Sequence, residues 1–214
     1  MKVFIKDNAI YLGLYLITLL VAAYFLLNYN KIFIHEMCNY WVCNPAVSTF
    51  YKYFTHVGDG IFAVSIGVVV LFFNRKRGLY ILLAYALAGT TSSIIKFFEN
   101  YVRPFHYFVY YRKHYTLNLV DGVDMLGEHS FPSGHSTAAF VVFGALAFST
   151  QNKIAKVLFF IIALNAAFSR MYLSQHWLVD IFAGSLVGTA YAILLYFIFY
   201  KKHFDLKLNI FKPN

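Results

Sequence analysis

Apolar residues run through this chain in long blocks broken by short polar punctuation, not in the alternating pattern of half-buried strands. A helix needs about 20 mostly apolar residues to cross the hydrocarbon core of a bilayer, and backbone in lipid must satisfy its own hydrogen bonds. The blocks therefore predict transmembrane helices. Six qualify, at 9–27, 57–73, 78–98, 133–149, 154–168 and 177–200. The turn Asn74-Arg75-Lys76-Arg77 parts the second from the third, and no internal repeat, low-complexity tract or long linker divides the chain. The expected fold is all-α: a polytopic bundle of six transmembrane helices forming a single membrane-embedded domain over 1–214.

Composition agrees with this pattern. With 60% hydrophobic and only 13% charged residues, the chain has too little polar surface to cover a soluble globule of its size. The first block follows Lys2 and Lys6 in the manner of a signal peptide. It is longer than a usual signal core and lacks a small-residue cleavage site, so it is expected to remain as a span.

The basic residues orient the bundle. With a cytoplasmic N-terminus, the inner segments carry Lys2, Lys6, Arg75, Lys76, Arg77, Lys153, Lys156, Lys201, Lys202, Lys207 and Lys212, eleven of the 18 Lys and Arg. The outer side keeps Lys31, Lys52, Lys96, Arg103, Arg112, Lys113 and Arg170. The net charge of +9 then reports topology, and no nucleic-acid partner is expected.

Three polar clusters fall on that outer face. In the first, Lys96 and Arg103-Pro104 are seven residues apart, close to two helical turns, so both cations can lie on one stripe about 10 Å apart if the helix persists. Pro104 discourages continuation beyond them. The pair can grip an oxyanion from two sides or simply snorkel to the interface. In the second, Pro132-Ser133-Gly134-His135 immediately precedes an apolar run. Proline presets the turn, glycine lets backbone approach an anion, and the free N–H groups of the new helix point toward it. An ordinary serine cap explains the turn but leaves His135 unused. In the third, Ser169-Arg170 precedes His176 and Asp180, whose spacing of four lets a carboxylate hold one imidazole nitrogen protonated and free the other for attack. A structural hydrogen bond is the alternative. An ionisable pair at a membrane span favours function.

The three clusters resemble the signature of the type 2 phosphatidic acid phosphatases, a superfamily that also includes bacterial acid phosphatases, glucose-6-phosphatase and vanadium haloperoxidases. That signature is Lys, six residues, Arg-Pro; then Pro-Ser-Gly-His; then Ser-Arg, five residues, His, three residues, Asp. Every signature position is matched between Lys96 and Asp180. The resemblance implies that His176 attacks phosphorus to give a phosphohistidine, with Asp180 orienting its ring. It implies that His135 protonates the leaving oxygen and then helps activate water, while Lys96, Arg103, Ser133, the Gly134 amide and Arg170 hold the phosphoryl oxygens.

The chemistry of phosphoryl transfer, which depends on positioning and on stabilising charge at equatorial oxygens, fits this division independently. Three cations can supply that charge, so neither metal nor cofactor is expected. His35, His56, His106, His114, His129 and His203 lack convincing ligand spacing. The expected substrate is a lipid phosphate or pyrophosphate met at headgroup level. Undecaprenyl pyrophosphate, phosphatidylglycerophosphate, phosphatidic acid and lipid A phosphates are all candidates, at the outer face of a bacterial inner membrane with both termini cytoplasmic. A lipid-linked phosphotransferase using the same histidine, or a non-catalytic lipid-binding protein, are the rival classes.

Three further features carry expectations. The aromatic segment 105–115, with Arg112 and Lys113, can cover the site and grip a lipid chain and a second phosphate, or form an interfacial belt. Glu128 and His129 can touch a headgroup. Cys38 and Cys43 share the outer loop between the first two spans, where a disulfide is possible, and Gly58-Asp59-Gly60 reads as the cap of the second span, not as a catalytic motif.

Overall fold

A computed structural model describes residues 1–200. Lys201, Lys202, Lys207 and Lys212, counted above toward the inner side, and His203 lie outside the described residues. The helices in chain order are α1 (Lys2–Asp7), α2 (Ala9–Asn28), α3 (Lys31–Asn39), α4 (Pro45–Phe54), α5 (Gly60–Phe73), α6 (Arg75–Phe98), α7 (Pro104–Tyr111), α8 (Gly134–Phe148), α9 (Lys153–Tyr172) and α10 (Leu178–Tyr200), with a 3-10 turn at Thr55–Gly58 between α4 and α5.

Short polar side chains set many of the starts. Asn30, Asn44, Asn74, Ser133 and Asn152 each sit at a helix N-cap and accept a hydrogen bond from a backbone N–H of the first turn. The expected four-residue turn at 74–77 reduces to Asn74 alone, because this cap lets α6 begin at Arg75. The loop expected between the first two spans holds α3, α4 and the 3-10 turn, and 104–111 forms α7.

Among the described residues four helices, α2, α6, α9 and α10, are long and apolar enough to cross a membrane. Residues 45–73 form a fifth candidate, broken at Asp59 by a bend of 58°. The remaining expected span, α8, has 15 residues, fewer than the roughly 20 that a crossing requires. It is the centre of the bundle, packed against α6, α9 and α10, and most of its residues from Ser136 to Phe148 are buried. The protein is thus a multi-pass helical membrane protein, with four or five candidate spans by length and composition among the described residues, where six were expected.

The α8–α10 contact is especially close. A Cβ at Gly184 would lie 2.5 Å from the Ser133 carbonyl oxygen, and one at Gly188 the same distance from that of Thr137. Two glycines a turn apart on α10 therefore let the two backbones meet. Cys38 is a buried free thiol and Cys43 an exposed one, so no disulfide joins them in this structure.

Candidate active site

His176 occupies the short link between α9 and α10, not a helix, and is 2% exposed. Its ring is held from both sides. Nδ1 lies 3.3 Å from Asp180 Oδ2, and Nε2 lies 3.3 Å from Arg103 Nη1. The carboxylate accepts the Nδ1 proton and the guanidinium donates toward Nε2, so the neutral tautomer presents the Nε2 lone pair. Burial, followed by the charges of Arg103, Arg170 and Lys96, holds the imidazole well below its ordinary pKa. The expected His–Asp contact is present, formed across the first turn of α10 and not within a continuous helix.

Asp180 Oδ2 also accepts the Trp177 backbone N–H at 2.9 Å and the hydroxyl of Ser130. Ser130 was not singled out by sequence, though it lies three residues before Ser133. Arg103 is positioned as tightly: Nε donates to the Glu128 carbonyl at 3.0 Å, and Nη1 to the Gln175 carbonyl at 3.1 Å. Glu128 thus contributes its backbone here. The imagined helical stripe joining Lys96 and Arg103 is absent, because α6 ends at Phe98 and Arg103 is the N-cap of α7. Lys96 instead donates to the His129 carbonyl at 3.0 Å.

Ser133 caps α8, with its hydroxyl oxygen accepting from Ser136 N at 3.4 Å and its own N–H donating to the Asp180 carbonyl at 3.0 Å. A Cβ at Gly134 would meet nothing within 4 Å, so space lies open before the first turn of α8. A cavity of about 240 Å³ there is lined by Gly58, Tyr85, Ser92, Lys96, Gly134 and His135. An oxyanion in it would meet helix N–H groups and a lysine ammonium. Arg170, buried near the end of α9, donates from Nη1 to Thr55 Oγ1 at 2.7 Å. Ser169 is spent structurally, donating to the Ala166 carbonyl at 2.7 Å.

His135 Nε2 lies 2.6 Å from Asp59 Oδ1. Asp59 holds the N-cap position of α5, as expected, but its side chain makes no cap bond and faces His135 instead. Its one legible signal was an acidic residue inside an apolar block.

The segment 105–115 divides. Phe108 is buried and Tyr107 packs edge-on to Trp177, 5.6 Å between centroids. Arg112 is not free for a phosphate, because it pairs with Glu36 at 2.7 Å. The cation among these rings is Lys31, read from sequence only as a topology charge, 5.0 Å from the Trp177 ring centre and within 6 Å of Tyr101 and Tyr107. Lys31 and Tyr107 line a second cavity, of about 450 Å³. Among the described residues no group of three or more His, Cys, Asp or Glu is placed to hold a metal ion.

The chain is similar to known proteins in both sequence and fold. Over 174 residues the chain is 28% identical to phosphatidylglycerophosphatase B of Bacillus subtilis, covering 74% of this chain and 75% of that one. Over 133 residues it is 28% identical to an undecaprenyl-diphosphatase of Sulfolobus acidocaldarius, covering 59% of this chain and 58% of the relative. In fold it resembles the crystal structure of a transmembrane phosphatidylglycerolphosphate phosphatase from B. subtilis, with a TM-score of 0.67 and 24% identity over 91% of this chain and 98% of that one. It also resembles LpxE of Aquifex aeolicus, with a TM-score of 0.66 and 23% identity over 76% of this chain and 92% of that one. The model of the PAP2 superfamily matches residues 77–204, which include all three polar clusters, and the chain belongs to that superfamily.

Proposed function

We propose that this protein is a membrane phosphatase that hydrolyses a lipid phosphate or diphosphate through a phosphohistidine. The observation that carries the reading is the placement of His176 between Asp180 and Arg103, with Lys96, Arg170 and His135 close enough to act on its charge. The Nε2 lone pair of His176 attacks phosphorus, forming the P–N bond as the bond to the lipid oxygen breaks. His135 gives its proton to that oxygen. Water then attacks the phosphohistidine, His135 takes a proton from it, and inorganic phosphate leaves as the P–N bond breaks.

Lys96, Arg103 and Arg170, with the Ser133 hydroxyl and the Gly134 N–H, hold the equatorial oxygens. The three cations supply the charge stabilisation that a divalent metal supplies elsewhere, so the reaction is metal-independent and needs no cofactor. The named activities of the relatives support lipid phosphates as the substrate class. The cluster of basic residues at the opposite end of the bundle, including Arg75, Lys76, Arg77 and Lys153, supports an outward-facing site with the N-terminus cytoplasmic.

The test is phosphate release by purified protein in detergent with EDTA, across undecaprenyl diphosphate, phosphatidylglycerophosphate, phosphatidic acid and lipid A, beside His176→Ala. Release by the unmodified protein alone supports the reading and ranks the lipids. Equal release by the variant removes it, and a phosphorylated acceptor in place of free phosphate makes the protein a transferase.

A further inference from the structure

An aspartate at a helix N-cap ordinarily turns its side chain back onto the first-turn N–H groups. Asp59 does not. Its Oδ1 meets His135 Nε2 at 2.6 Å and its Oδ2 meets His56 Nδ1 at 2.7 Å. The chain around it is shaped for that contact: a Cβ at Gly58 would lie 3.0 Å from His135 Cβ, and one at Gly60 would lie 2.5 Å from the Tyr85 hydroxyl. Glycines on both sides let the bend between α4 and α5 press against α8 and α6, leaving the carboxylate as the side chain that reaches His135. The same bend carries Thr55 to Arg170. Thr55, His56, Gly58, Asp59 and Gly60 all lie outside the 77–204 region matched by the family model.

The charged and titratable groups facing His135 are Lys96 and Tyr85 from α6, Arg103 from the start of α7, Arg170 from α9 and Asp59, which His56 also contacts; His176 lies beyond. Three of these are cations that oppose a positive imidazolium. A histidine that must arrive protonated at a leaving oxygen needs a negative partner in contact, and Asp180 is engaged with His176.

We propose that Asp59 is the positioning carboxylate of His135: Oδ1 accepts the Nε2 proton, fixes the ring and stabilises the imidazolium, so that Nδ1 exchanges the proton with the leaving oxygen and with water. Nδ1 has no hydrogen-bond partner among the described residues. The site then holds two histidine–carboxylate pairs of opposite polarity, Nδ1 to Asp180 for the nucleophile and Nε2 to Asp59 for the acid. This inference rests on the assignment of His135 as the general acid.

Leaving-group dependence tests it, because an acid matters for an alkyl oxygen and little for an aryl one. We would measure kcat/KM, which covers the steps through departure of the leaving group, on phosphatidic acid and on 4-nitrophenyl phosphate for Asp59→Asn, Asp59→Glu, His135→Ala and the double variant. Asp59→Asn is expected to lose at least about tenfold on the lipid and less than about threefold on the aryl ester, with Asp59→Glu recovering part of the loss. In the double variant Asp59→Asn should cost nothing beyond His135→Ala. Equal losses on both substrates, or additive losses in the double variant, overturn the proposal. If His135→Ala itself shows no preference for the lipid, the acid assignment falls and Asp59 with it. If His135→Ala shows that preference and Asp59→Asn does not, only the role of Asp59 falls. Asparagine is isosteric with aspartate, and an unfolding temperature in detergent close to that of the parent separates a functional loss from misfolding.

Discussion

Asp180 Oδ2 lies 3.3 Å from His176 Nδ1 and 2.9 Å from the Trp177 backbone nitrogen, so one oxygen fixes both the His176 ring and the turn that carries it. Loss of its charge should disturb the tautomer before it disturbs substrate binding. Asp180→Asn is expected to lower kcat by about a hundredfold or more while KM changes little. Steady-state kinetics in detergent micelles checks this, and an equal loss in kcat and binding would mean that Asp180 serves the phosphate pocket instead.

Arg103 offers a second measurement. Its guanidinium reaches the Glu128 and Gln175 carbonyls while still facing His176 Nε2, a fork that a lysine cannot reproduce. Arg103→Lys keeps the charge and loses the geometry. It is expected to slow turnover by about a hundredfold, the cost of one misplaced preorganised donor. Near-normal turnover would show that charge alone suffices there.

The pH dependence follows from His176. Burial and the surrounding cations lower its pKa, so the neutral ring, the form that the proposed attack requires, persists to more acid pH than a free imidazole would. Because the folded value is depressed, activity is present above it and lost as pH falls through it. The acid limb of kcat/KM, corrected for ionisation of the substrate phosphate, is expected below the ordinary histidine range near 6.5. A limb at or above that range would show that His176 is not the group titrating.

The residues of the proposed site were legible because their chemistry is written locally, in short motifs at the ends of apolar blocks. Residues that act across the bundle were harder to read. Asp59 reaches His135 and Thr55 reaches Arg170 through a bend at residue 59, and nothing in the spacing of Gly58-Asp59-Gly60 announces that contact. Lys31 is similar, since its aromatic neighbours Tyr101, Tyr107 and Trp177 come from distant stretches. The expected stripe from Lys96 to Arg103 failed for a local reason. Its helix stops at Phe98, and Pro104 opens a new helix just after Arg103.

The α8–α10 seam ties stability to the site. At Gly184 an added methyl would press on the Ser133 carbonyl, one turn from Asp180; at Gly188 it would press on Thr137, one turn deeper. Backbone cannot swing aside as a side chain can, so each Gly→Ala change should cost about 1–3 kcal/mol by overpacking. The consequences for catalysis should differ. Ser133 N donates to the Asp180 carbonyl, so parting the helices at Gly184 separates the Ser133–His135 turn from the His176 pair. Gly184→Ala is therefore expected to lower kcat at least about tenfold as well as the unfolding temperature. Gly188→Ala should lower the unfolding temperature with a smaller effect on kcat. Gly13→Ala on α2, where a Cβ meets nothing within 4 Å, should lower neither. Thermal unfolding in detergent beside phosphate release measures all three. Equal kinetic losses at Gly184 and Gly188 would mean that the seam acts through global stability and not through the spacing of Ser133 and Asp180.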